Sequence, residues 1–68
     1  MIELEFESKE IKALIKEDLP EVGFYIYIWK LTGDKKFYDY LQDNLEKTKE
    51  FALEKFGIPV DEWQEVKK

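Results

Sequence analysis

The sequence predicts a small α+β domain spanning residues 1–68, with a single-layer antiparallel sheet and two helices on one of its faces. The expected order is βαββαβ, the ferredoxin-like arrangement, and a meander of strands plus a helix is the competing topology. Three observations point there. Ile2 to Glu7 alternates apolar and acidic residues without a break, Val22 to Leu31 concentrates β-branched and aromatic residues, and Asp43 to Gly57 has the caps and period of a helix.

Period two over Ile2–Glu7 places Ile2, Leu4 and Phe6 on a buried face and Glu3, Glu5 and Glu7 on the other. From Ser8 to Asp18 the spacing changes. Ile11, Leu14 and Ile15 share a helical face flanked by Lys9, Lys12 and Lys16, with Ser8 as N-cap and Leu19-Pro20 as the stop. Val22, Ile26 and Ile28, with Phe24, Tyr25, Tyr27 and Trp29, then give a strand composition. Thr32-Gly33-Asp34-Lys35 supplies a tight turn, and Lys36 to Gln42 is the returning strand. Asp43 caps a second helix that runs to Phe56, with Gly57 at its C′ position and Ile58-Pro59 behind it. In the tail, Val60, Trp63 and Val66 are three apart, which suits a helical turn. Glu62 to Val66 also suits a short edge strand, the favoured reading, and Trp63 seals the core in either. In the ferredoxin-like order the most hydrophobic strand lies at an edge, which keeps the meander in play.

Taking Gly33-Asp34 as the hairpin turn sets Trp29 opposite Tyr38, Ile28 opposite Asp39, Tyr27 opposite Tyr40 and Ile26 opposite Leu41. One face then holds Phe24, Ile26, Ile28, Phe37 and Leu41 beneath the helices. The other holds Leu31 and the candidate binding residues Tyr25, Tyr27, Trp29, Tyr38 and Tyr40. Two short helices cannot cover both faces, and an exposed aromatic patch marks a contact site. The plainer alternative is that the C-terminal segment or a curled sheet buries these rings. The same register puts Asp39 among apolar residues beside Lys30, which a rim position or a bulge would relieve.

The second helix adds Glu46, Glu50 and Glu54, an acidic stripe at i, i+4, i+8 that is either a solvated face or a contact for a basic surface. Phe51 falls nearly opposite the arc of Leu45, Ala52 and Phe56, so it is lapped by another segment or joins a contact.

Composition excludes much chemistry. There are 68 residues with no cysteine, histidine or arginine, and 16 carboxylates against 11 lysines leave a net charge of −5. Without histidine or cysteine there is no Ser-His-Asp or Cys-His arrangement and no thiolate metal site. The glycines are isolated, so no phosphate-cradling loop is present. No metal, cofactor or catalytic residue is expected, and the chain is expected not to be an enzyme. Aromatic residues on such a sheet suggest base stacking, but the negative charge argues against nucleic acid. No apolar run or signal peptide points to a membrane, and the expectation is a small acidic cytoplasmic protein. Tyrosines and carboxylates together suit cations, either a Lys/Arg-rich protein surface or an organic ammonium group.

The hairpin running into Asp43-Asn44-Leu45-Glu46 and a helix resembles the HicB-type antitoxin pattern, in which a strand leads into Asp-Ser/Thr-Leu-Glu. The resemblance covers about a third of the chain and shares common capping chemistry. Asp18-Leu19-Pro20 is followed by Glu21-Val22 where that family often has Gly-Cys, and no residue role is carried over. It implies a small accessory protein. The expected functions are thus an interaction module that dimerises or docks on a protein, an acidic inhibitor, antitoxin or immunity-type protein, or a binder of a small cationic or aromatic ligand.

Overall fold

Alternation rather than helical period governs the first two thirds of the chain. The computed structural model describes residues 2–19 and 21–66, with strands β1 (Glu3–Glu7), β2 (Ile11–Glu17), β3 (Phe24–Lys30) and β4 (Phe37–Gln42), helix α1 (Leu45–Phe56) and strand β5 (Gln64–Glu65). The five strands form one sheet in the order β4-β3-β2-β1-β5, with every neighbouring pair antiparallel. The class is α+β, but the two-helix ferredoxin-like order is replaced by a meander with one helix among the described residues.

The segment expected to be the first helix is β2. Ile11, Ala13 and Ile15 alternate with Lys12, Leu14 and Lys16, and the first set lies on the face that α1 covers, Ala13 and Ile15 fully buried. Ser8 makes the contact of a helix cap here within a hairpin. Its Oγ accepts the backbone N–H of Ile11 at 3.2 Å, the bond an N-cap would make, while its own N–H donates to the Ile11 carbonyl at 2.8 Å and closes a hairpin loop of Lys9 and Glu10. Pro20, expected as the helix stop, lies outside the described residues, as do Lys67 and Lys68 of the tail.

The one helix starts a residue later than expected. Asn44, in extended backbone, accepts the Lys47 N–H on Oδ1 at 2.8 Å. Asp43 instead makes an exposed ion pair with Lys47 at 4.0 Å, a contact of little energetic weight. At the other end Gly57 is left-handed (φ 71°), its N–H bonding the Leu53 carbonyl at 3.0 Å, and the Ile58 N–H reaches Ala52 at 3.3 Å. That closure turns Ile58 into the core.

The core joins Leu4, Ala13, Ile15, Ile26 and Ile28 of the sheet to Ala52, Ile58 and Trp63. Thr48 is also fully buried; its hydroxyl donates to the Asn44 carbonyl at 2.7 Å, so only its methyl faces apolar neighbours. Trp63 packs against Phe6, ring centroids 6.2 Å apart, and β5 follows as a short strand on β1.

Gly23 joins the turn after β2 to the start of β3. It is buried at φ 111°, and a Cβ there would overlap the carbonyl oxygen of Gln42 at the end of β4. Gly33, at φ 66°, faces open space. Gly23→Ala is expected to lower unfolding free energy by more than about 2 kcal/mol, from backbone strain plus overlap, and Gly33→Ala by about 1 kcal/mol from strain alone. Urea denaturation of the two variants checks this, and equal losses would contradict the packing at Gln42.

Candidate functional site

The faces of the hairpin are decided by its register. β3 and β4 pair as Trp29↔Phe37, Ile28↔Tyr38, Tyr27↔Asp39, Ile26↔Tyr40 and Tyr25↔Leu41. This is one residue away from the register expected from a Gly33-Asp34 turn. Because side chains alternate, a slip of one exchanges every side chain of β4 between faces. Tyr38 and Tyr40 therefore join Ile26 and Ile28 on the helix side, while Phe37, Asp39 and Leu41 join Tyr25, Tyr27 and Trp29 on the open side. The loop between the strands explains the slip, since Lys30 donates its N–H to the Lys36 carbonyl at 2.8 Å, leaving residues 31–35, an odd number, in the connection.

On the open side the four rings form a chain of contacts. Tyr27 lies 6.1 Å from Tyr25, 6.2 Å from Trp29 and 6.1 Å from Phe37, and Trp29 lies 5.4 Å from Phe37. Phe37 is 51% exposed and Leu41 48%; the three rings of β3 are half-buried, by one another and by their strand neighbours. Next to them on β2 stand Lys12, opposite Trp29, Leu14, opposite Tyr27, and Lys16, opposite Tyr25. Beyond these, Glu3 lies across from Lys16 and Glu7 across from Lys12 on β1. The face thus grades across the sheet from rings through lysines to glutamates. A recess of about 260 Å³ opens at its Tyr25 end, lined by Lys16, Glu17, Asp18, Tyr25 and Tyr27.

Asp39 is not on the helix side among apolar residues, as the expected register had it. It is exposed on the open side opposite Tyr27, in the edge strand, where water solvates its carboxylate.

The remaining candidates divide between two other places. Tyr38, Tyr40, Phe51 and Phe56 fill the seam between α1 and β4. Tyr40 meets Phe51 edge-on at 4.6 Å, Tyr38 meets Phe56 at 5.7 Å, and Phe51 meets Phe56 at 6.2 Å. Phe51 is thus a half-buried packing residue lapped by β4, not an outward one. Beside the seam a groove of about 420 Å³ is lined by Ile11, Lys30, Tyr38, Tyr40, Lys55 and Phe56. Glu46, Glu50 and Glu54 are exposed on the helix, which packs on the opposite side of the sheet from the open rings. Leu14, Phe37 and Leu41 belong to the open surface although sequence reasoning did not assign them to it. The signal that would have found them is alternation carried through Ile11–Glu17 and a five-residue hairpin loop.

Among the hydroxyls, Ser8 is engaged in its hairpin and Thr48 in the helix, while Thr32 is exposed in the β3–β4 loop. Among the described residues no cluster of carboxylates is arranged to hold a metal ion, and no described helix is long and apolar enough to cross a membrane. No family model matches the chain, and no curated protein or solved structure does.

A double-mutant cycle between Tyr40 and Phe51 is expected to give a coupling of about 0.5–1.5 kcal/mol, the usual size for an edge-on ring pair. The cycle between Tyr27 and Tyr40, which the observed register puts on opposite sides of the sheet, is expected to give none. Thermal or urea unfolding measures both, and the reverse result would restore the alternative register.

Proposed function

We propose that the chain is a non-enzymatic interaction module that docks on a protein partner through the open face of its sheet. The carrying observation is the cluster of Tyr25, Tyr27, Trp29 and Phe37, rings in mutual contact on the face away from α1. Large rings with polar tips are the side chains that anchor protein contacts at low entropic cost. A net charge of −5 favours a basic partner surface, and the absence of histidine and cysteine, with Ser8 and Thr48 already engaged, supports a role without catalysis. We place that role in the cytoplasm, where a chain without cysteines forgoes no disulfide.

The size of the patch bears on its use. Three strands at 4.8 Å spacing and five residues of each make a strip of roughly 14 by 17 Å. A stable interface buries about 800 Å² on each partner, so the rings alone support a transient contact. A homodimer formed only through them would be weak for the same reason.

A second reading is favoured by Glu46, Glu50 and Glu54, exposed and without a lysine partner among the described residues. There the acidic outer side of α1 would block a basic surface, as an inhibitor or antitoxin does.

Affinity capture followed by mass spectrometry separates the two. Trp29→Ser/Phe37→Ser is expected to lose the proteins that the unaltered chain retains, while Glu46→Lys/Glu50→Lys/Glu54→Lys keeps them. The opposite pattern would transfer the function to the helix. Retention by both variants would remove both surfaces, and far-ultraviolet dichroism of each variant verifies that it is folded.

A further inference from the structure

The sheet ends on β4 with its hydrogen-bonding groups turned outward. Bonded and non-bonded pairs alternate along an antiparallel ladder. With Lys30 bonded to Lys36, the main-chain groups of Tyr38 and Tyr40 turn toward β3, and those of Phe37, Asp39 and Leu41 turn away from it. The opposite edge is covered in part: β5 pairs with β1, and the Val66 N–H donates to the Glu3 carbonyl at 3.0 Å. No described strand pairs with the outer side of β4.

Sheet edges are ordinarily blunted by lysine, proline, a bulge or brevity. β4 has six residues, with neither lysine nor proline among them, and it carries Phe37, Tyr40 and Leu41, which are 51, 37 and 48% exposed. Its one charge is Asp39, at the middle of the outward-bonding set, with no ion pair among the described residues.

We propose that the β4 edge accepts an extended segment of a partner protein as a sixth strand, and that this segment carries a lysine or arginine opposite Asp39 between two apolar residues. The inference rests on the open-face docking role and names the partner's chemistry. Phe37, Asp39 and Leu41 share the open face at a spacing of two, so the residues opposite them on an added strand share it as well. Apolar side chains there cover Phe37 and Leu41 and widen the ring cluster beyond the strip that was too small on its own. A cation meets Asp39, and the net charge of −5 draws such a segment in. A second copy of the chain fits poorly: full antiparallel overlap of two β4 strands sets Asp39 against its own counterpart, and both chains are acidic.

The test is a nuclear magnetic resonance titration of the full ¹⁵N-labelled chain with the capped peptide Thr-Val-Thr-Lys-Thr-Val-Thr. Two control peptides replace the lysine by glutamate or methylate the lysine and valine amide nitrogens. The expected result is saturable shifts centred on the Phe37, Asp39 and Leu41 amides and slowed exchange of those amides. Binding of the glutamate peptide should be up to about fivefold weaker, the size of one cross-strand charge pair. Binding of the methylated peptide should be lost, and Asp39→Lys should reverse the preference between lysine and glutamate. Equal binding of the methylated peptide, with shifts at Tyr25, Tyr27 and Trp29, would overturn the edge proposal while leaving the open-face role standing. No response up to about 5 mM, weaker than any useful contact, would overturn it too. So would concentration-dependent shifts on β4 without peptide, which would mean self-pairing.

Discussion

Ile15, Ile26 and Ile28 have to be removed from water, and the chain has a twelve-residue helix and the segment after it with which to do so. At 1.5 Å per residue that helix is about 18 Å long, enough to lie over two strands of a five-stranded sheet. It packs on β3 and β4 through Thr48 and Ala52, whose small side chains let it approach closely. Ile58 and Trp63 complete the cover, with Trp63 against Phe6 of β1. Nothing among the described elements is left over for the other side. The single-sided core is what leaves Tyr25, Tyr27, Trp29 and Phe37 open, and it makes the aromatic content of β3 a matter of surface as well as packing.

Two aromatic groups result, with different work. In the seam, Tyr38, Tyr40, Phe51 and Phe56 stitch the rim of α1 to the edge strand, where each ring pair adds stability beyond its buried area. On the open face the rings pack along and across two strands and stay half in water, bordered by the lysines of β2. β4 belongs to both groups because its side chains alternate between them. An edge strand anchored by its tyrosines on one side can present Phe37, Asp39 and Leu41 on the other without losing its place in the sheet.

Several elements were legible in the residues. β1 has unbroken alternation, β3 has a composition few other structures accommodate, and the helix end carries Gly57 in the left-handed position that a glycine adopts freely. β2 was not, because Ile11, Ala13, Leu14 and Ile15 satisfy a period of two and a period of 3.6 alike, and Ser8 makes the same bond to the backbone three residues on in a hairpin as at a helix cap. Half of the candidate surface was legible in the same way. Tyr25, Tyr27 and Trp29 follow from alternation along β3. Tyr38 and Tyr40 lie on the other face from the one expected, because the length of the β3–β4 loop cannot be counted from turn residues when Gly33 is flanked by polar residues on both sides, while Phe51 takes the lapped position that was one of its two expected places.

By itself the sequence determined which histidine- and cysteine-dependent constellations are ruled out and the spacing of its strong elements, since both depend on residue identity and local period. Without histidine or cysteine a Ser-His-Asp or Cys-His arrangement and a thiolate metal site are ruled out in any fold, and the composition of Phe24–Lys30 favours a strand. The tertiary structure alone decided which side of β4 faces water and whether Ile11–Glu17 is helix or strand. Those outcomes turn on cross-strand register and on the pairing of β2 between β1 and β3, which are contacts between distant residues. A shift of one residue in β4 exchanges the faces of all its side chains, and it would put Asp39 beneath α1 in place of the tyrosines, so the packing of Tyr38 on Phe56 and Tyr40 on Phe51 favours the observed register.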